Sequence, residues 1–72
     1  MRMTFDPDAN AAYLYIEDKA TDCAAIENVV VGRDGKGDIV LDFDADGYLL
    51  GVEVIGAAEL LHRSVLSTAE KL

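Results

Sequence analysis

Apolar residues fall on every second position along three stretches of this chain. In AAYLYIED, Ala12, Leu14 and Ile16 share one side, and Tyr13, Tyr15 and Glu17 share the other. In DIVLDF, Ile39, Leu41 and Phe43 alternate with Asp38, Val40 and Asp42, and in YLLGVEVI Leu50, Val52 and Val54 share a side. A period of two is that of a strand with one face buried. Met3 to Phe5 is a further short apolar piece, leading into the turn DPDAN at residues 6–10, where aspartate and proline reverse the chain. KATD interrupts the pattern after the first long strand. CAAIENVVV, from Cys23 to Val31, is rich in β-formers without clean alternation, as in a strand partly covered on both faces. GRDGKG, residues 32–37, then reads as a flexible loop of glycines and charges.

At Gly56 the period changes. Ala57, Leu60, Leu61 and then Ser64 or Val65 recur at helical spacing. Gly56 is an acceptable N-cap, and Glu59 sits in the first turn, where the helix dipole favours an acid. The spacing predicts a helix from about Ala57 to about Leu66, followed by a frayed tail, STAEKL. The expected fold is α+β: an antiparallel sheet of four or five strands with one C-terminal helix packed on one face. Leu60 and Leu61 should pack on Leu41, Phe43, Leu50, Val52 and Val54. The second face should carry Tyr13, Tyr15, Val40 and Leu49 among acids. One helix cannot cover two faces, so a homodimer or another partner surface is expected.

The segment DFDADGYLLGVE, from Asp42 to Glu53, tests this reading. It has the acids at positions one, three and five, the glycine at six and the glutamate at twelve of a helix-flanked calcium loop. That loop needs a helical period on both sides, and here a strand period runs through both sides. A hairpin turning at Asp46-Gly47 instead pairs Phe43 with Leu50, Leu41 with Val52 and Ile39 with Val54. A four-residue loop from Asp44 to Gly47 keeps the same match, whereas a three-residue loop breaks it. In such a hairpin Glu53 lies about 20 Å from Asp46 and closes no cage around an ion there. Asp42, Asp44 and Asp46 then read as turn and sheet-face acids, with Asp44 a candidate cap for backbone amides.

Seventy-two residues make a single domain, residues 1–72, in which a lone core is marginal. The single cysteine, Cys23, forms no intrachain disulfide, so a metal, tight packing or self-association must supply further stability. Fourteen acids against six bases give a net charge of −8. That balance argues against nucleic acid or an anionic membrane as partner and permits a basic protein. The start reads as lacking a signal peptide, and no apolar run reaches the length of a membrane span. A cytoplasmic setting is the expectation.

No catalytic constellation emerges. His62 is the only histidine and sits late in the expected helix, where a cation suits the dipole. Cys23 has no histidine or asparagine arrangement to activate it, and Ser64, Ser67 and Thr68 lack an elbow motif. Gly32, Gly35 and Gly37 match neither nucleotide-binding glycine pattern. Asp42 and Glu53 share the polar side of the hairpin with no sign of a cleft. The expected catalytic, cofactor and metal residues are therefore none.

The order of motifs is nonetheless specific. Phe5-Asp6-Pro7, the run from Ala12 to Ile16, Leu41-Asp42-Phe43-Asp44, Gly47, Gly51-Val52-Glu53-Val54 and Ala57 together resemble a small bacterial family catalogued as domain of unknown function 2283. The resemblance spans about residues 3–61, although the loop at Gly32–Gly37 is longer than usual for the family. It implies no activity and no catalytic residues. It implies only that some members lie beside small toxin-like proteins and act as antitoxins, a role that an acidic partner of a basic toxin would suit. The expected function is thus a non-enzymatic protein-interaction module, antitoxin-like under the resemblance. The alternative is a cation- or small-ligand-binding protein using the acidic hairpin from Asp42 to Glu53.

Overall fold

A computed structural model of the chain describes residues 1–17 and 25–72. The elements are β1 (Arg2–Asp6), β2 (Ala11–Tyr15), β3 (Glu27–Arg33), β4 (Gly37–Phe43), β5 (Leu49–Ile55), α1 (Ala57–Leu60), α2 (Arg63–Thr68) and β6 (Glu70–Lys71). They form one six-stranded sheet in the order β3-β4-β5-β2-β1-β6. All neighbours are antiparallel except β1 and β6, which run parallel, with Thr4 opposite Glu70 and Phe5 opposite Lys71. Cys23 and the KATD break lie outside the described residues.

This corrects the expected antiparallel sheet of four or five strands with one helix. The tail is ordered by pairing: Ala69 is buried, and the Leu72 amide donates to the Phe5 carbonyl at 3.0 Å. The helix also breaks. Leu61 and His62 adopt extended backbone between α1 and α2, and the break brings Leu66 onto the core while Val65 stays exposed. An unbroken helix would have turned a different stripe inward.

The core is small and its centre is built from small residues. Ala12 of β2, Val54 of β5 and Ala57 of α1 are buried together, Ala57 with 0% of its surface exposed. Two facing alanines let the helix backbone approach the sheet closely. Met3, Phe5, Val52, Leu60, Leu61 and Leu66 close around them, each partly buried leucine contributing less than the ~1.5–3 kcal/mol of full burial. The helices thus sit over β1, β2 and β5. Leu60 and Leu61 were expected on Leu41, Phe43 and Leu50 as well, and none of these three belongs to the cluster.

Two backbone junctions fix this geometry. Asn10, at the end of the DPDAN turn, has φ +52° and does what Gly56 has no side chain to do. Its Oδ1 accepts from the Ala58 amide at 2.9 Å, its carbonyl accepts from Gly56 and Ala57, and its Nδ2 donates to Glu59. The cap of α1 therefore comes from 46 or more positions away in sequence. At the second junction Gly56, with φ +86°, lies so close to the Lys36 carbonyl that no Cβ fits, and Gly37 abuts the Ile55 carbonyl in the same way.

The β4–β5 hairpin keeps Leu41 opposite Val52 and Ile39 opposite Val54. Its tip differs from expectation. The Asp44 amide donates to Tyr48, and Gly47, with φ +85°, donates to Asp44, which leaves a three-residue reversal. A three-residue loop spoils the face match, and a bulge restores it: Phe43 faces Leu49, Asp42 faces Gly51, and Leu50 is the extra residue. Leu50 is buried, and its carbonyl accepts from both Ile16 and Glu17, which anchors the end of β2.

Candidate functional site

Partners across an antiparallel ladder share a face. One face therefore carries Met3, Phe5, Ala12, Leu14, Val52, Val54, Ile39, Leu41, Val29 and Val31, and the helices cover its β1–β2–β5 half. The other carries Thr4, Tyr13, Tyr15, Glu53, Val40, Asp42, Asp38, Asn28 and Val30, and neither helix covers it.

On this open face the polar side chains hold one another. Tyr13 lies flat across Gly51, with no room for a Cβ beneath it, and its hydroxyl donates to Asp42 Oδ2 at 2.7 Å. The other oxygen of Asp42 accepts from Asn28 Nδ2. One carboxylate thus ties β2, β4 and β3 together. Burial, followed by the hydrogen bond and charge of Asp42, pushes the Tyr13 phenol up to about 12. Its ring packs against Tyr15 with centroids 4.7 Å apart, and the Arg2 guanidinium lies 4.4 Å from the centre of the Tyr15 ring. Thr4, Asp6, Tyr13, Tyr15 and Glu53 border a shallow concavity.

The acids of the calcium-like segment are separated by this arrangement. Asp42 is engaged on both oxygens, and Asp44 Oδ1 accepts from the Asp46 and Tyr48 amides at 2.9 Å each, stabilising the turn. Glu53 stands on β5 opposite Tyr13 and Val40. Strands, rather than helices, flank the segment. Among the described residues no three His, Cys, Asp or Glu side chains gather at a point suited to a metal.

The remaining candidates are dispersed. His62 is exposed at the N-cap position of α2, the opposite dipole end from the one expected of it. The Ser67 and Thr68 hydroxyls donate back to helical carbonyls at Ser64 and Val65. Gly32 is a strand residue, while Gly35, with φ +73°, shapes the turn between β3 and β4. Sequence reasoning missed Asn28, Asn10 and Gly51. Gly51 had a signal, a glycine inside an alternating strand, which marks a close approach.

The distinctive surface is the β3 edge. All seven residues of β3 are exposed, including Val29 at 39%, Val31 at 44% and Val30 at 60%, with Ile26 at 67% just before them. Its centre holds three consecutive valines with no lysine, proline or bulge, the usual devices that blunt an edge. The opposite edge, β6, is only two residues long and carries Glu70 and Lys71.

Residues 2–57 match the family model described as a protein of unknown function, DUF2283. The match covers well over half of the chain, and the chain belongs to that family. No curated protein and no solved structure matches it.

Proposed function

We propose that this member of the DUF2283 family is a non-enzymatic protein-interaction module whose contact element is the β3 edge. The exposure of Val29, Val30 and Val31 on a seven-residue edge that no described residue covers carries the reading. Such an edge offers unpaired backbone N–H and C=O groups beside apolar side chains, and it pairs with whatever strand it meets. The open face supports a structural rather than catalytic role for its polar groups. Tyr13 is held protonated against Asp42, which is itself engaged on both oxygens.

A photoreactive phenylalanine analogue placed at position 30 tests this directly. Irradiation of cells making the protein should give a discrete covalent adduct, identified by mass spectrometry. The same probe at Tyr48, 71% exposed at the tip of the other hairpin, should give none. Equal labelling at both positions, or none at 30, ends the reading.

The antitoxin-like role adds a basic protein as a second partner. Asp6, Asp38 and Glu53 on the open face, together with the net charge of −8, favour it. Binding of that kind would weaken steeply with salt, whereas pairing through the valine edge would not.

A further inference from the structure

The occupant of the β3 edge can be specified further on the reading just given: we propose that it is β3 of a second copy, running antiparallel, with Val30 opposite its own counterpart. Counting outward from Val30 sets Val29 against Val31, Asn28 against Gly32 and Glu27 against Arg33 of the second copy. Every valine then meets a valine, and each end of the strand closes with an acid opposite a base; just beyond β3, Ile26 faces Asp34. Because the relation is two-fold, this charge pair occurs twice.

The register is selective. Slipping by one residue sets Glu27 against Asp34 in one direction and Val31 against Asn28 in the other. Like charges opposite one another, or a valine opposite an amide, are both unfavourable. The centred register also keeps the faces aligned. The half-covered strip of Val29, Val31, Ile39 and Leu41 becomes continuous with that of the second copy, and the two sheets join into one. Among the described residues, the pairing consumes both long edges at once and leaves only the two-residue β6 edges outside, so assembly stops at two copies. A contact made through one strand is small for a stable interface, which places the dissociation constant in the micromolar range.

Sedimentation equilibrium of the full chain tests the proposal. The wild-type chain should be dimeric at high micromolar concentration and dissociate on dilution. Val30→Lys, which sets two ammonium groups face to face, should give a folded monomer. Glu27→Arg alone and Arg33→Glu alone should each weaken the dimer about tenfold. The double variant, Glu27→Arg with Arg33→Glu, restores opposite charges across the two-fold and should return to the wild-type value. A wild-type monomer, a dimer indifferent to Val30→Lys, or a double variant as weak as the single ones overturns the pairing. A monomer that still yields an adduct with a different protein from position 30 removes self-pairing and leaves the interaction edge standing. The absence of any adduct there removes both.

Discussion

The Tyr13 hydroxyl reaches Asp42 at 2.7 Å only by lying across Gly51, the β5 residue between their two strands. The strand order puts β5 between β2 and β4, so any side chain at position 51 would stand in the path. The glycine is a condition of the hydrogen bond rather than a weakness in the strand.

Gly51→Ala should therefore cost about 1 kcal/mol, close to the value of one hydrogen bond, because the ring can swing aside and lose its partner. Tyr13→Phe should cost a similar amount. The two changes act on one interaction, so the double variant should be less destabilised than the sum of the singles. Urea unfolding of the four proteins measures this, and strict additivity would contradict it.

Alkali should loosen the fold through the same phenol. The folded pKa of Tyr13 is raised from 10.0 to about 12, so the unfolded chain loses this proton first. Its contribution to stability is complete below pH 10, falls as the pH rises from there and is gone above about 12. Tyrosinate absorbance should show a late-titrating component from Tyr13, absent in Tyr13→Phe and shifted earlier in Gly51→Ala. Thermal unfolding followed between pH 9 and 11 should show a shallower decline in Tyr13→Phe than in the wild-type chain.

Asn10→Ala should be more harmful than Asn10→Gly. Both remove the cap on the Ala58 amide and the bond to Glu59, worth about 1 kcal/mol. Alanine must also hold φ +52°, at a further cost of about 1 kcal/mol, whereas glycine adopts it freely. Thermal unfolding should rank the variants wild type, Gly, Ala from most to least stable.

Asp44→Ala should destabilise the chain by about 1 kcal/mol through loss of the two amide caps at the β4–β5 turn. Millimolar calcium should leave the unfolding midpoints of wild type and variant unchanged. A calcium-dependent rise that disappears with Asp44→Ala would return the acidic hairpin to the status of an ion site.

What was legible in the sequence was what local alternation encodes. Parity alone sets Leu41 against Val52 and Ile39 against Val54, because a one-residue slip turns every apolar group outward. What was not legible depends on distant partners. The two-residue β6 has no period of its own and exists only because Phe5 and Thr4 present an open edge to it. The break at Leu61-His62 has no glycine or proline to announce it, and it follows from fitting Leu66 as well as Leu60 and Leu61 onto the same small core. The cap of α1 was assigned to Gly56 because local rules look beside the helix, whereas the capping side chain arrives from the turn after β1. The network on the open face was hidden for a related reason. Asp42, Asn28 and Tyr13 lie on three strands, and only the strand order makes them neighbours.

The bulge at Leu50 governs which length changes the second hairpin tolerates. The reversal is one residue short of the length that suits its strands, and β5 carries one residue more than it needs. The two irregularities cancel. A single deletion at the tip is absorbed if Leu50 falls into line opposite Phe43 and Leu49 opposite Asp44, which leaves a three-residue reversal with Val52 and Val54 still facing inward, whereas a single insertion has no bulge to straighten and must lengthen the loop itself. Evolution can therefore shorten this hairpin in one step by straightening β5, whereas growth falls on the turn alone.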